Sequence, residues 1–207
     1  MKKKIVFDFA GVLFHWQPLQ LLQRVLPQHA VDEASAVHWA AHIFQAYAGD
    51  WAEFDRGTVT VPELVTRIAQ RTGLAPHDVL RVVNAVPLEL QALPDSVALV
   101  LRLHSAGLRL FFLSNMPAPY ATQLEQNNPF LSCFTSGVFS ARVHANKPEA
   151  AIFEIAARQF GASPDELVFM DDHLPNVQAA SALGWHAFQF INAAQAEAVL
   201  MQRGWCD

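Results

Sequence analysis

Hydrophobic and polar positions follow two periods along this chain. Near the N-terminus an apolar run, Ile5-Val6-Phe7, meets a carboxylate at Asp8 and resumes as Phe9-Ala10-Gly11-Val12-Leu13. An unbroken run of this kind predicts a buried parallel strand that delivers one acidic side chain to its carboxyl end, where open α/β sheets place their ligands. From 17 to 86 the apolar spacing is helical instead. Residues 19–26 make one stretch, stopped by Pro27. Within 32–47, Ala36, Val37, Trp39, Ala40, Ile43, Phe44 and Tyr47 cover a face wide enough for burial in a bundle. Residues 51–54 predict a short helical turn. Thr60, Pro62 and Glu63 have capping-box spacing and open a helix to 71, ahead of Gly73; 76–84 predict one more short helix. Nothing in this region reads as a strand.

Beyond 87 the two periods alternate. A helix over 94–106 closes at Gly107, and a strand over 108–113 ends in Ser114-Asn115. A helix over 119–126, a weak strand over 134–139 and a helix from Pro148 to 160 follow. The apolar strand 167–170 ends in Asp171-Asp172, and a helix over 176–183, a strand over 186–191 and a helix over 193–202 complete the chain. Strand–helix repetition at this spacing predicts an α/β fold, a parallel sheet covered on both faces.

Composition removes several function classes. Of 207 residues, 52% are hydrophobic and 16% charged, which fits a globular domain rather than a disordered chain. The net charge is −5 and the one cationic cluster is Lys2-Lys3-Lys4, too little for a phosphate-tracking face, so nucleic acid is not an expected partner. Asp8 interrupts the first apolar run too early for a secretory signal, and no run approaches the roughly 18 apolar residues of a membrane span. Cys133 and Cys206 have no metal-ligand spacing and read as free thiols. The expectation is a cytoplasmic protein, monomeric or homodimeric, with no membrane partner.

Three predicted strands therefore end in polar groups that do not belong in a core: Asp8, Ser114-Asn115 and Asp171-Asp172. Lys147 stands just before Pro148. Each has an ordinary use, the Ser-Asn pair as turn chemistry and the Asp-Asp pair as a helix N-cap. In a parallel sheet, however, all of them reach one rim. Carboxylates from separate strands make a hard oxygen site suited to Mg²⁺. A hydroxyl and an amide can bond phosphoryl oxygens, a lysine offsets a dianion, and an Asp beside them can attack phosphorus.

This order resembles the haloacid dehalogenase (HAD) superfamily over essentially the whole chain. Asp8-Phe9-Ala10-Gly11-Val12 is similar to its first motif, with Asp8 as nucleophile. Ser114 resembles the phosphate-binding residue of the second motif, with Asn115 beside it, and Lys147 resembles the lysine of the third. The stretch from Val168 to Asn176 resembles the acidic fourth motif. The resemblance implies a Rossmann-like core over 1–15 and 87–207, and a helical C1 cap over 16–86. It further implies Mg²⁺ held by Asp8, the Ala10 backbone carbonyl and Asp172, with Asp171 a neighbouring carboxylate and Asn176 a supporting polar residue. The implied activity is that of a phosphatase, acting on a small phosphorylated metabolite such as a sugar phosphate through an aspartyl-phosphate on Asp8.

Ala10 departs from the pattern. Phosphatases of this family usually carry an Asp there, which protonates the leaving group; such help is typically worth about 10²–10⁴-fold in rate. Its absence predicts a penalty on alkyl phosphates relative to p-nitrophenyl phosphate. A natural variant, a substitute among His15, His144 and His173, and an engineered substitution all account for Ala10. The phosphonate-cleaving branch needs a cap lysine, and residues 17–86 contain none. Two other functions stay open: a 2-haloacid dehalogenase, which needs no metal, and a phosphate- or partner-binding relic. Phe14, His15, Trp16, Phe44, Trp51 and Phe54 are candidates for the lining of a substrate pocket, or for bundle core. The segment Trp51-Ala52-Glu53-Phe54-Asp55-Arg56-Gly57 resembles a cap segment that is mainly structural.

Overall fold

Five strands form one parallel sheet in the order β3-β2-β1-β4-β5, with β1 at Lys4–Phe7, β2 at Arg109–Ser114, β3 at Phe134–Phe139, β4 at Leu167–Asp171 and β5 at His186–Gln189. The structure is a computed structural model and describes residues 3–206, the side chain of Tyr47 excepted. Lys2 and the side chain of Tyr47, both used in the sequence reading, thus lie outside what is described. Side chains two apart share a face of the sheet. Ile5, Phe7, Leu110, Phe112, Val168 and Met170 pack into one core, while Val6, Phe111, Leu113 and Phe169 pack on the other face with Phe153 and Trp185. Lys4 belongs to β1 and is buried, its Nζ bonded to the Gly161 carbonyl at 2.8 Å and to Glu166 Oε2 at 3.0 Å. It serves the strand, not a cationic tail.

The helices fall close to the expected places: α1 (Pro18–Val25), α2 (Glu33–Phe44), α3 (Gly49–Asp55), α4 (Val61–Thr72), α5 (Pro76–Glu89), α6 (Pro94–Ser105), α7 (Ala118–Asn127), α8 (Ser140–Val143), α9 (Ala150–Gln159), α10 (Leu174–Ala182) and α11 (Ala193–Gln202). The Thr60 N–H donates to Glu63 Oε2 at 2.8 Å, forming the capping box that opens α4. Several boundaries differ from expectation: α2 stops at Phe44, short of 47, and β5 ends at Gln189, short of 191. The short α8 is an addition, and α9 starts at Ala150 behind an N-cap at Glu149, with Pro148 in the preceding loop. Helix α5 runs five residues past the predicted stop at 84 and contains Pro87. Proline has no N–H to give the carbonyl four residues back, which strands the carbonyl of Val83. The Tyr120 hydroxyl of α7 donates to it at 2.7 Å, and the helix continues.

Helices α1 to α5 follow β1 directly and share one continuous apolar cluster with a face of the sheet. Polar contacts tie them to its rim. Asn146 Nδ2 donates to the Ala52 carbonyl at 2.8 Å, Ser140 Oγ to the Asp55 carbonyl at 2.5 Å, and Arg56 makes a two-pronged pair with Glu149 at 2.5 and 2.9 Å. The strand order reverses between β1 and β4, and the crevice beyond their carboxyl ends is where ligands of such sheets bind. Among the described residues no helix is long and apolar enough to cross a membrane.

Candidate active site

At that crevice the chain leaves β1 through Asp8, whose N–H still donates to the Met170 carbonyl of β4 at 3.0 Å. It then folds back so tightly that the N–H groups of Val12, Leu13 and Phe14 all donate to the carbonyl of Phe9. Gly11 sits in this loop at φ +79°, and a Cβ there would collide with the Asp172 carboxylate, so glycine answers both the turn and the close approach. The side chain of Asp8 is buried but for its tip.

Lys147 bridges the two central strands. Its Nζ lies 2.7 Å from Asp8 Oδ1 and 2.6 Å from Asp171 Oδ2, with the side chain 1% exposed. Asn115 fixes the lysine backbone, accepting from the Lys147 N–H at 2.8 Å and donating to the Lys147 carbonyl at 2.9 Å. Asp171 is fully buried. Its oxygens accept from Lys147, from the His173 N–H at 2.8 Å and from Asn176 Nδ2 at 3.1 and 3.0 Å. Those four acceptances use the capacity of a carboxylate, so Asp171 anchors the lysine and has no lone pair left over. Asp172, exposed at the rim, is free of that duty.

Oxygens of Asp8, Asp171 and Asp172 lie within 4.8 Å of one another. Burial first, then the charges of Asp171 and Asp172, push the Asp8 carboxyl up to about 8 against the pull of Lys147. The surrounding protein and Asp171 also raise Asp172. Burial works against the charge on Lys147, but Asp171 and Asp8 overcome it and raise its pKa. One ammonium thus faces three carboxylates, and a divalent cation is the ordinary answer to such an excess. A second observation agrees. Asn176 Oδ1 is buried with no donor among the described residues, while its Nδ2 is held by Asp171. The donor set fits a hard cation.

Around this cluster lies a cavity of about 930 Å³, including the space at its mouth, lined by Asp8, Ala10, Asn115, Lys147, Pro148, Asp172, His173 and Asn176 from the sheet side. The segment between β1 and α6, together with α7, adds Trp16, Trp51, Asp55, Val86, Leu90 and Tyr120, with Met116 and Pro117 between the two sides. The sequence-predicted residues are therefore gathered at one rim, although Asp171 lies behind it, fully buried, and does not line the cavity. Ser114 is buried at the end of β2, its Oγ 3.5 Å from the Asn115 carbonyl, and is not among the lining residues. Of the aromatic candidates, Trp16 and Trp51 line the cavity, and Phe14, Phe44 and Phe54 are core. His15 is exposed away from it and His144 is bonded to the Arg56 carbonyl, leaving His173 as the lining histidine.

A family model for haloacid dehalogenase-like hydrolases matches residues 2–184. The chain belongs to that family. It is 26% identical to the sesquiterpene phosphatase astK of Aspergillus oryzae, over 88% of this chain and 86% of that protein. It is 24% identical to the drimenol cyclase drtB of Aspergillus calidoustus, over 92% of this chain and 34% of that longer protein. Among solved structures, a predicted HAD-like family hydrolase of Porphyromonas gingivalis superposes with a TM-score of 0.74 at 25% identity over 98% of both chains. A HAD family enzyme of Bacteroides thetaiotaomicron, solved with magnesium and inorganic phosphate, gives 0.70 at 20% identity over 91% and 94%. The protein is accordingly a HAD-like hydrolase with the Rossmann-like α/β fold.

Sequence reading placed Asp55 in a mainly structural segment and not among the site residues, yet the inserted helices bring it to the cavity. A signal was available: Asp55 is four residues beyond Trp51 and so shares its helical face, which is buried. A carboxylate on a buried face is rare without a function or a partner.

Proposed function

We propose that this hydrolase is a magnesium-dependent phosphatase in which Asp8 attacks the phosphorus of a phosphate monoester. The observation that carries the reading is the bridge of Lys147 between Asp8 and Asp171, beside an acidic cluster short of positive charge. Lys147 aims Asp8 and holds positive charge where the phosphoryl oxygens would sit. Asp8, Asp172 and the Ala10 carbonyl would hold the ion, whose charge offsets that of the phosphate dianion. Asp8 forms an aspartyl-phosphate as the ester bond breaks, and water then cleaves it to free phosphate. The inserted helices act as a cap that closes the cavity from above and excludes bulk water.

The cavity also favours a substrate class. Trp16, Trp51, Val86, Leu90, Met116 and Tyr120 present an apolar wall opposite the rim. A sugar phosphate, the expectation from sequence, would leave several hydroxyls to pair, and among the described residues the inserted helices offer the cavity the Asp55 carboxyl as their one ionisable group. We therefore favour the phosphate of an apolar alcohol, in keeping with the sesquiterpene phosphatase of A. oryzae.

The test is release of inorganic phosphate from p-nitrophenyl phosphate, a prenyl monophosphate and a sugar phosphate, with and without Mg²⁺. Turnover that disappears on chelation and falls by roughly 10⁴-fold in Asp8→Asn is the expected result. Chloride release from a 2-haloacid without metal, or full activity in Asp8→Asn, would overturn the reading. Preference for the sugar phosphate would overturn the substrate class alone.

A further inference from the structure

Asp55 is buried to 5% exposure at the carbonyl end of α3 and lines the same cavity as Asp8 and Lys147. Its backbone is held firmly: the carbonyl accepts from Ser140 Oγ, and Asn146 grips the same helix at Ala52. Its carboxyl, by contrast, has no hydrogen-bond or ion-pair partner among the described residues. The neighbouring charges are committed elsewhere. Arg56 turns to Glu149 and Glu53, and the Tyr120 hydroxyl is given to the Val83 carbonyl. Lys147 already holds Asp8 and Asp171. Asp172 and His173 line the opposite wall.

An ionised carboxylate so isolated is costly, so the group stays neutral by keeping its proton. Burial, only partly offset by Lys147, lifts the Asp55 pKa to about 8. The nearby position where a proton donor is missing, Ala10, lines the same cavity.

We propose that Asp55, a carboxyl with no partner among the described residues, in the cavity that holds Asp8, Lys147 and Ala10, is the proton donor for the leaving alcohol. The assignment rests on the phosphatase reading. As the Asp8–phosphorus bond forms and the phosphorus–oxygen bond to the alcohol breaks, the alcohol oxygen takes the Asp55 proton. Asp55, now a carboxylate, takes a proton from the water that attacks the aspartyl-phosphate. Phosphate leaves, Asp8 is restored as a carboxylate, and Asp55 is again protonated. The cap thus supplies what the loop after β1 lacks, and the penalty on alkyl phosphates implied by Ala10 should be absent from the intact protein.

The test compares kcat/KM for p-nitrophenyl phosphate and an alkyl phosphate in the wild type, Asp55→Asn and Ala10→Asp/Asp55→Asn. Asp55→Asn is expected to lose about 10²–10⁴-fold on the alkyl ester. On the nitrophenyl ester, whose leaving group needs little protonation, it should lose less than about tenfold, and the added Asp at position 10 should restore alkyl turnover. Equal loss on both esters, no loss, or no rescue overturns the proposal. Should Asp55→Asn fail to fold, the wild type decides: alkyl and aryl rates within about tenfold support a donor, and a gap above about 10³-fold overturns it. Failure of the phosphatase reading looks different, since the wild type would then release phosphate from neither ester.

Discussion

The two walls of the cavity treat their buried carboxylates in opposite ways. At the sheet rim Asp171 accepts four hydrogen bonds and Asp8 is paired with Lys147. On the cap wall Asp55 is equally buried and has neither hydrogen bond nor ion pair among the described residues. The rim spends its polar bonds on fixing charge in place, as the proposed nucleophile and cation site require. The wall of inserted helices withholds them from Asp55, and burial there favours its protonated form. Strand ends position by rigidity; the inserted helices act through what they leave unsatisfied.

The largest effect should come from breaking the rim. Removing the lysine in Lys147→Ala leaves Asp8 and Asp171 buried without their cation, a loss of about 3–5 kcal/mol in folding stability. Denaturant midpoints measure it, and a loss below about 1 kcal/mol would mean that the bridge is not formed. Next is the cap wall itself. Trp51 is 4% exposed and packs edge-on to Phe44 and Phe54, so Trp51→Ala should cost about 3 kcal/mol of stability. It should also raise KM for an apolar phosphate about tenfold while sparing p-nitrophenyl phosphate. A uniform rise across substrates would show that Trp51 supports the fold and selects nothing.

Asp55 offers a test in the opposite direction. Its folded pKa lies above the unfolded value of 3.8, so the stability it contributes is complete below that value and is lost as pH rises toward about 8. Asp55→Asn carries no such loss. The variant should gain on the wild type between pH 5 and pH 8, by at most about 1.4 kcal/mol per unit, and the advantage should level off above pH 8. Melting curves at three pH values check the sign. The smallest effect belongs to the seam between the walls. Arg56→Ala removes a partly exposed pair with Glu149 and should cost about 0.5 kcal/mol, diminishing with added salt.

Much of the rim was legible because strands with period two must end somewhere, and a polar residue at the end of an apolar run marks that place. Asp8, Asp171 and Asp172 stand at such ends, and Lys147 was marked by its place just before Pro148 and by the family resemblance. The roles were less legible than the places. Nothing in Asp171-Asp172 says which carboxylate turns inward; that depends on which side of β4 meets Lys147 and Asn176. Asn115 lines the cavity, as a phosphate ligand would, and one of its two amide hydrogens also goes to the Lys147 carbonyl, which its spacing did not foretell. The cap was legible as helices but not as a wall, since helical spacing finds the buried face without telling core from cavity. Trp16 and Trp51 fell on one side of that line and Phe44 and Phe54 on the other. Helix α5 ran past its predicted end because the partner that rescues it, Tyr120, is distant in sequence.

That rescue bears on how this protein could be altered. A designer seeking a sturdier α5 would replace Pro87 with alanine, and the helix would regain its missing internal bond to Val83. The Tyr120 hydroxyl, packed beside Phe54 within electrostatic reach of Asp55, would then share the Val83 carbonyl with the new N–H, since a carbonyl oxygen accepts two hydrogen bonds. Held less tightly, and with a donor's hydrogen to offer, it would make that acid easier to ionise. On the proposal that Asp55 gives up a proton, the imperfection of α5 is a condition for the chemistry at the end of α3, and stiffness there would be gained at the expense of turnover.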